Sequence, residues 1–204
     1  MTVDAIDTYE SAARCFADLV ETIPQTAWDG PRLGEWDLRS LVGHTGRSLT
    51  TVTTYLARPA PTVDVPSAVA YYSWVVQQVG ADPAGVAERG RQAGAALGPD
   101  PAAAIRLLLA EALGAVRGVS GDPVIETLAG GMRLSDYLPT RIFELVVHTL
   151  DIAAAQDLDV TIPADALTDT IRIATELAVL RGDGPSMLLA LTGRKPLPDN
   201  YSVL

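Results

Sequence analysis

Apolar side chains recur at intervals of three and four from the start of the chain, at Ile6, Tyr9, Ala13, Phe16, Val20 and Ile23. That spacing predicts a helix over residues 4–21 with one buried stripe, ended by Pro24. The period then breaks, and Trp28, Gly30, Pro31, Gly34 and Trp36 predict a folded loop. Asp37 has the chemistry of an N-cap, and a second helix is expected to about Ala57, with Leu41, Val42, Thr45, Leu49, Val52 and Leu56 inward. Pro59, Pro61 and Pro66 mark a connection. Ser67 can cap a helix over residues 68–79, and the Asp82-Pro83 pair restarts one towards Leu97. Asp100-Pro101, an aspartate cap followed by proline at the first helical position, starts a further helix to about Val116.

Residues 118–131 are the least regular part of the middle, with a short strand expected at Val124-Ile125-Glu126. Ser135-Asp136 opens another helix that should reach Ala155, with Pro139 in its first turn, where a missing N–H is tolerated. Pro163 begins a helix to about Leu180. After the Gly182-Asp183-Gly184-Pro185 break comes a short apolar turn, Met187 to Leu191, and an irregular tail. The pattern predicts an all-α domain with one or two minor strands at most.

Composition narrows the function classes. The 204 residues suit one domain, and 48% hydrophobic against 20% charged residues describes a globular chain. A net charge of -10, from 25 acidic and 15 basic side chains, argues against nucleic-acid binding through phosphates. Cys15 is the only cysteine, which excludes an intramolecular disulfide and a cysteine zinc site. It sits in an amphipathic segment and reads as a small buried apolar residue. The N-terminal residues lack a basic start and apolar core, and apolar runs fall far short of the roughly 20 residues of a membrane span. The expected setting is soluble and cytoplasmic, with no nucleic-acid or membrane partner.

Chemistry concentrates at the two histidines, His44 and His148. Glu144 and His148 are four apart and share one helix face, with Asp151 on nearly the same bearing among Leu145, Val146, Val147, Leu150 and Ile152. A carboxylate and an imidazole in such apolar company need a partner. A Glu–His hydrogen bond would supply one, and so would a bound cation, for which Glu-x-x-x-His is a chelating spacing. His44, flanked by Leu41 and Leu49, can meet them from another helix inside a bundle. Two imidazoles and one carboxylate would leave the rest of the ion open, the pattern of a reactive rather than a structural site.

The segments Glu35-Trp36-Asp37-Leu38-Arg39-Ser40-Leu41-Val42-Gly43-His44 and Glu144-Leu145-Val146-Val147-His148-Thr149-Leu150-Asp151-Ile152-Ala153 together resemble the mycothiol-dependent maleylpyruvate isomerase family, within the DinB-like superfamily of metal-binding four-helix bundles. The run Leu188-Leu189-Ala190-Leu191-Thr192-Gly193-Arg194 resembles the tail that follows that domain. The resemblance implies one DinB-like domain over residues 1–204, with a bundle core over about 4–156 and additional C-terminal helices over about 157–204. It implies His44, Glu144 and His148 as ligands of a divalent metal, most often Zn2+ with Ni2+ as an alternative. It places Asp151 as the acidic residue that orients a ligand imidazole; a helix-surface carboxylate is the other reading. The characterised isomerase has a further C-terminal domain that contributes to its active site. This sequence ends where that domain would begin, so the bundle itself is expected to hold the electrophile.

Arg47, one turn beyond His44, and Arg141, one turn before Glu144, could each hold a substrate carboxylate; a salt bridge to a protein acid is the alternative. Trp28 and Trp36 read as packing residues or as a substrate wall. Tyr71 and Tyr72 are adjacent, so only one should point fully inward, and neither suggests catalysis. Arg194 should close the tail against the bundle. Phosphate-binding glycine patterns, nucleophile elbows and the His-Glu-x-x-His helix are absent. The resulting expectation is a metal-dependent transferase or isomerase, a homodimer, that uses mycothiol or a related small thiol against a small electrophile. The alternative is a non-enzymatic metal- or ligand-binding module.

Overall fold

The computed structural model describes residues 2–28, 31–33, 36–78 and 82–204. Gly30, Gly34 and Glu35 of the expected loop and Val79 at the end of an expected helix lie outside them. Helix α1 spans Thr2–Glu21, followed by a 3-10 turn at Gln25–Ala27 and a ribbon of β1 (Pro31–Leu33) and β2 (Trp36–Asp37). Helices α2 (Leu38–Leu56), α3 (Ala68–Gln78), α4 (Pro83–Ala96) and α5 (Pro101–Arg117) come next. A hairpin of β3 (Val124–Thr127) and β4 (Gly130–Arg133) leads to α6 (Leu134–Gln156), α7 (Ala164–Leu180) and α8 (Gly184–Leu191).

Local capping sets the starts of α2, α3, α4 and α5. The Asp37 carboxylate accepts from Ser40 N at 2.7 Å, Asp82 from Gly85 N at 2.9 Å and Asp100 from Ala103 N at 3.0 Å, while Ser67 Oγ accepts from Ala70 N at 3.1 Å. Helix α6 departs from expectation. Ser135 does not cap it; Ser135 N and Oγ donate instead to Asp122, at 2.9 and 2.8 Å. The helix begins at Leu134, so Pro139 lies inside it rather than in the first turn. The expected strand at residues 124–126 is present and pairs in register with β4, from Val124 opposite Arg133 to Thr127 opposite Gly130. The expected turn at 187–191 is the longer helix α8.

Helices α1, α2, α5 and α6 form the bundle, α1 and α2 each packing against both α5 and α6. Their inward stripes supply the core: Tyr9, Phe16, Leu41, Leu49, Ile105, Leu138 and Leu145 are fully buried. Thus the expected all-α bundle with added C-terminal helices is the fold. Helix α7 lies on α1, α3 and α6, and α8 on α7. Helix α4 runs against α2 at a contact only glycine permits: a Cβ on Gly43 would lie 2.2 Å from Gly94 N, and one on Gly94 would lie 2.7 Å from Arg39 O. Helix α3 packs on both α6 and α7. Among the described residues, no helix is long and apolar enough to cross a membrane.

Candidate metal centre

The bundle brings His44 of α2 to Glu144 and His148 of α6, with one ligand atom from each lying within 4.8 Å of the others. The two imidazoles meet edge to face, their centroids 5.1 Å apart at 81°. His148 Nε2 stands 3.3 Å from Glu144 Oε2, and His148 Nδ1 stands 3.0 Å from Asp151 Oδ2. Helical spacing explains both contacts, since the ring reaches back to the residue four before and forward to the residue three after. The Asp151 carboxylate thus meets the ring nitrogen that does not face Glu144, and a proton held on Nδ1 would leave Nε2 to face the cluster.

Each donor is braced from behind. Tyr72 OH donates to Glu144 Oε1 at 2.9 Å, leaving Oε2 for the cluster, and is also 2.9 Å from Thr140 O. Trp36 lies over the His44 ring at 4.5 Å and 36°, and its Nε1 donates to Ala87 O at 3.0 Å. Gly90 makes that seat possible, because a Cβ there would fall 2.7 Å from the indole. Trp36 is thus a support for His44, whereas Trp28 is buried packing, with Arg39 6.0 Å from its ring.

Electrostatics separate the two imidazoles. Burial and the neighbouring His148, with Arg47 and Arg141 in the same sense and Glu144 opposing, lower the His44 pKa to about 4. Among the described residues His44 Nδ1 is buried without a hydrogen-bond partner, so none of them holds a proton there. His44 is therefore neutral at pH 7, the form that can donate a lone pair. Burial also disfavours charge on His148, but hydrogen bonds and charge from Asp151 and Glu144 outweigh it and raise its pKa to about 9. Burial works against the Glu144 carboxylate too, yet His148, Arg141 and Tyr72 bring its pKa down to about 2. An imidazolium thus neutralises Glu144 where a cation could sit. Once His148 gives up its proton, its oriented imidazole, the neutral His44 imidazole and the ionised Glu144 carboxylate are a donor set that fits a divalent ion.

The other candidates are placed as follows. Arg141 is 8% exposed and makes no ion pair among the described residues, contrary to the salt-bridge alternative. Its guanidinium carbon stands 5.5 Å from the Tyr71 ring centroid and 5.1 Å from that of Tyr137, and Nε donates to Thr140 Oγ1 at 3.0 Å. Arg47 lines a groove between α2, α4 and α5 together with Arg89 and Leu108. Tyr71 and Tyr72 are both buried, against the expectation that only one would be, because α3 has neighbours on two sides. Sequence reasoning missed Tyr72 as a Glu144 partner and Tyr71 as an Arg141 partner, and no local signal pointed to either. Cys15 is half-buried, its Sγ 3.7 Å from Thr161 O, rather than sealed in the core. Arg194 bonds to Thr192 O within the tail rather than to the bundle.

Residues 9–153 match the family described as the mycothiol maleylpyruvate isomerase N-terminal domain. The chain belongs to this family. The stretch matched to the mycothiol maleylpyruvate isomerase N-terminal domain contains His44, Glu144, His148 and Asp151, and stops before α7. Neither a curated protein nor a solved structure matches the chain.

Proposed function

We propose that this protein is a metal-dependent, thiol-using enzyme that joins or isomerises a small electrophile, with His44, Glu144 and His148 holding one divalent ion. The observation that carries this reading is the convergence of those three donors, two imidazoles and a carboxylate, inside a domain of the mycothiol maleylpyruvate isomerase N-terminal family. Zinc suits the donor set, and nickel is compatible with it. Three protein ligands leave positions for substrate. When bound, such an ion supplies Lewis acidity that lowers the pKa of a thiol at the open position. Mycothiol is the thiol to which the family description points.

The chain's own residues prepare the site. Asp151 holds His148 Nδ1, Tyr72 fixes one oxygen of Glu144, and Trp36 sets the tilt of His44. Arg47 and Arg141 bring positive charge near His44, which favours an anionic thiolate or substrate. A free small thiol requires a reducing compartment, so the cytoplasm is the proposed location.

Cobalt substitution tests the proposal. Titration of the cobalt protein with mycothiol should add a sulfur-to-cobalt charge-transfer band in the near ultraviolet, and Glu144→Ala should weaken it. A cobalt spectrum that neither mycothiol nor any other small thiol perturbs would overturn thiol use. The same site would then be that of a metal- or ligand-binding module.

A further inference from the structure

Helix α7 meets solvent along a row that is not polar. Leu167, Ile171 and Val179 follow the four-residue spacing of a helix ridge, and they are 37%, 53% and 61% exposed. Thr175 completes the row, and its hydroxyl is turned back to Ile171 O at 2.8 Å, which satisfies its polar atom within the helix. The fold uses a different face of α7, where Ala166, Ile173 and Leu177 are buried.

The apolar surface continues past the ridge. Val179 and Leu180, with Val69 of α3, line a groove of about 490 Å3 beside it. Helix α8 starts against Val179, since a Cβ on Gly184 would lie 3.0 Å from Val179 Cγ2. It carries Met187, Leu188, Leu189 and Leu191, with no charged residue and no buried one. Ile171, Val179, Leu180, Leu188 and Leu191 are each more than half exposed. With Leu167 they present roughly 600 Å2 of apolar surface, the upper end of what a monomer leaves bare. That covers the apolar share of the ~800 Å2 that each partner gives to a standard interface.

Charge selects the occupant. A chain of net charge -10 should repel its own copy, yet the residues flanking this ridge are of both signs. Arg172 and Glu176 stand 3.3 Å apart beside it. A two-fold axis near Ala174 would set two α7 helices antiparallel. Each ridge residue then falls midway between two of the other copy, Ile171 between Thr175 and Val179, as ridge-into-groove packing requires. The same axis sets Arg172 opposite Glu176 of the second copy, and Glu176 opposite its Arg172. A parallel pair in register would instead juxtapose like charges.

We propose that α7 and α8 form the face through which two copies of this chain pair, with the α7 helices antiparallel about that axis. Such an interface is isologous, so one surface supplies both the ridge and the groove that receives it. Both helices lie beyond residues 9–153, the stretch matched to the family.

Sedimentation equilibrium of the full chain tests this. The unaltered protein should sediment at twice the chain mass at micromolar concentration, and Ile171→Glu should be monomeric there. Leu128→Glu, at an exposed leucine on the hairpin, should remain dimeric. Arg172→Glu and Glu176→Arg should each weaken self-association about tenfold or more, because each sets like charges across the axis. Mixed together they should pair again, since each then meets its opposite. A monomeric unaltered chain overturns the proposal, as does a dimer that survives Ile171→Glu or is lost in Leu128→Glu. A mixture that associates no more tightly than either charge variant alone overturns the antiparallel arrangement, and with it the proposal. Should Ile171→Glu fail to fold by circular dichroism, the mixing experiment decides alone.

Discussion

At the scale of single residues, His148 is the group whose protonation and ligation compete. In the metal-free protein its pKa is raised to about 9, against an ordinary value near 6.5. Pairing of the imidazolium with Glu144 and Asp151 thus stabilises the metal-free fold fully below about pH 6.5, and that contribution is lost as the pH rises through about 9. His44 has the opposite sign: its neutral form is favoured, so stability is lost as the pH falls from about 6.5 through about 4. A divalent ion must displace the His148 proton. Metal binding at pH 7 is therefore expected to release close to one proton, and the apparent affinity should rise about tenfold per pH unit towards pH 9. Calorimetry in buffers of different ionisation enthalpy measures both. Asp151→Asn removes one source of the raised pKa and an orienting partner, so it should release fewer protons yet bind metal about 10- to 100-fold more weakly. Unchanged affinity in Asp151→Asn would place that carboxylate outside the working site.

At the scale of elements, the approach of α4 to α2 governs how His44 is held. Gly43 precedes His44 and touches Gly94, and Gly90 of the same α4 seats Trp36 on the His44 ring. Gly43→Ala should force the two helices apart, destabilise the protein by about 1–3 kcal/mol in urea unfolding, and weaken metal binding. Unaltered stability would show that the helices tolerate a methyl group there. The helices themselves were legible in the sequence because their start signals are local: Asp37, Ser67, Asp82 and Asp100 each bond to a backbone N–H three residues on. The start of α6 was not, because Asp122 reaches Ser135 from across a hairpin. The Glu144–His148 pair could be read because helical spacing alone puts both on one face. Its support by Tyr72, and the ring corner around Arg141, could not. Those contacts depend on α3 docking against α6, and no periodicity within α3 encodes its second neighbour on α7.

At the scale of the molecule, the three candidate ligands divide between the second helix and the sixth, about a hundred residues apart along the chain. An ion held by both would behave as a removable cross-link. It would close a long loop whose ends are also joined by side-chain packing and by the Tyr137–Thr51 hydrogen bond between α6 and α2, and loop-closure entropy makes such ties worth most when the loop is long. Since the unfolded chain presents no converged donor set, binding free energy becomes folding free energy, about 2.7 kcal/mol at a free-metal concentration one hundred times the Kd. The protein's Tm should rise with zinc concentration and fall on chelation, and the dependence should vanish in His44→Ala, which cuts the tie at one end. A Tm indifferent to both zinc and chelator would mean that α2 and α6 are not joined through metal. If they are, the cell's metal supply sets this protein's lifetime as well as its activity, because a chain stripped of its ion also unfolds and is degraded more readily.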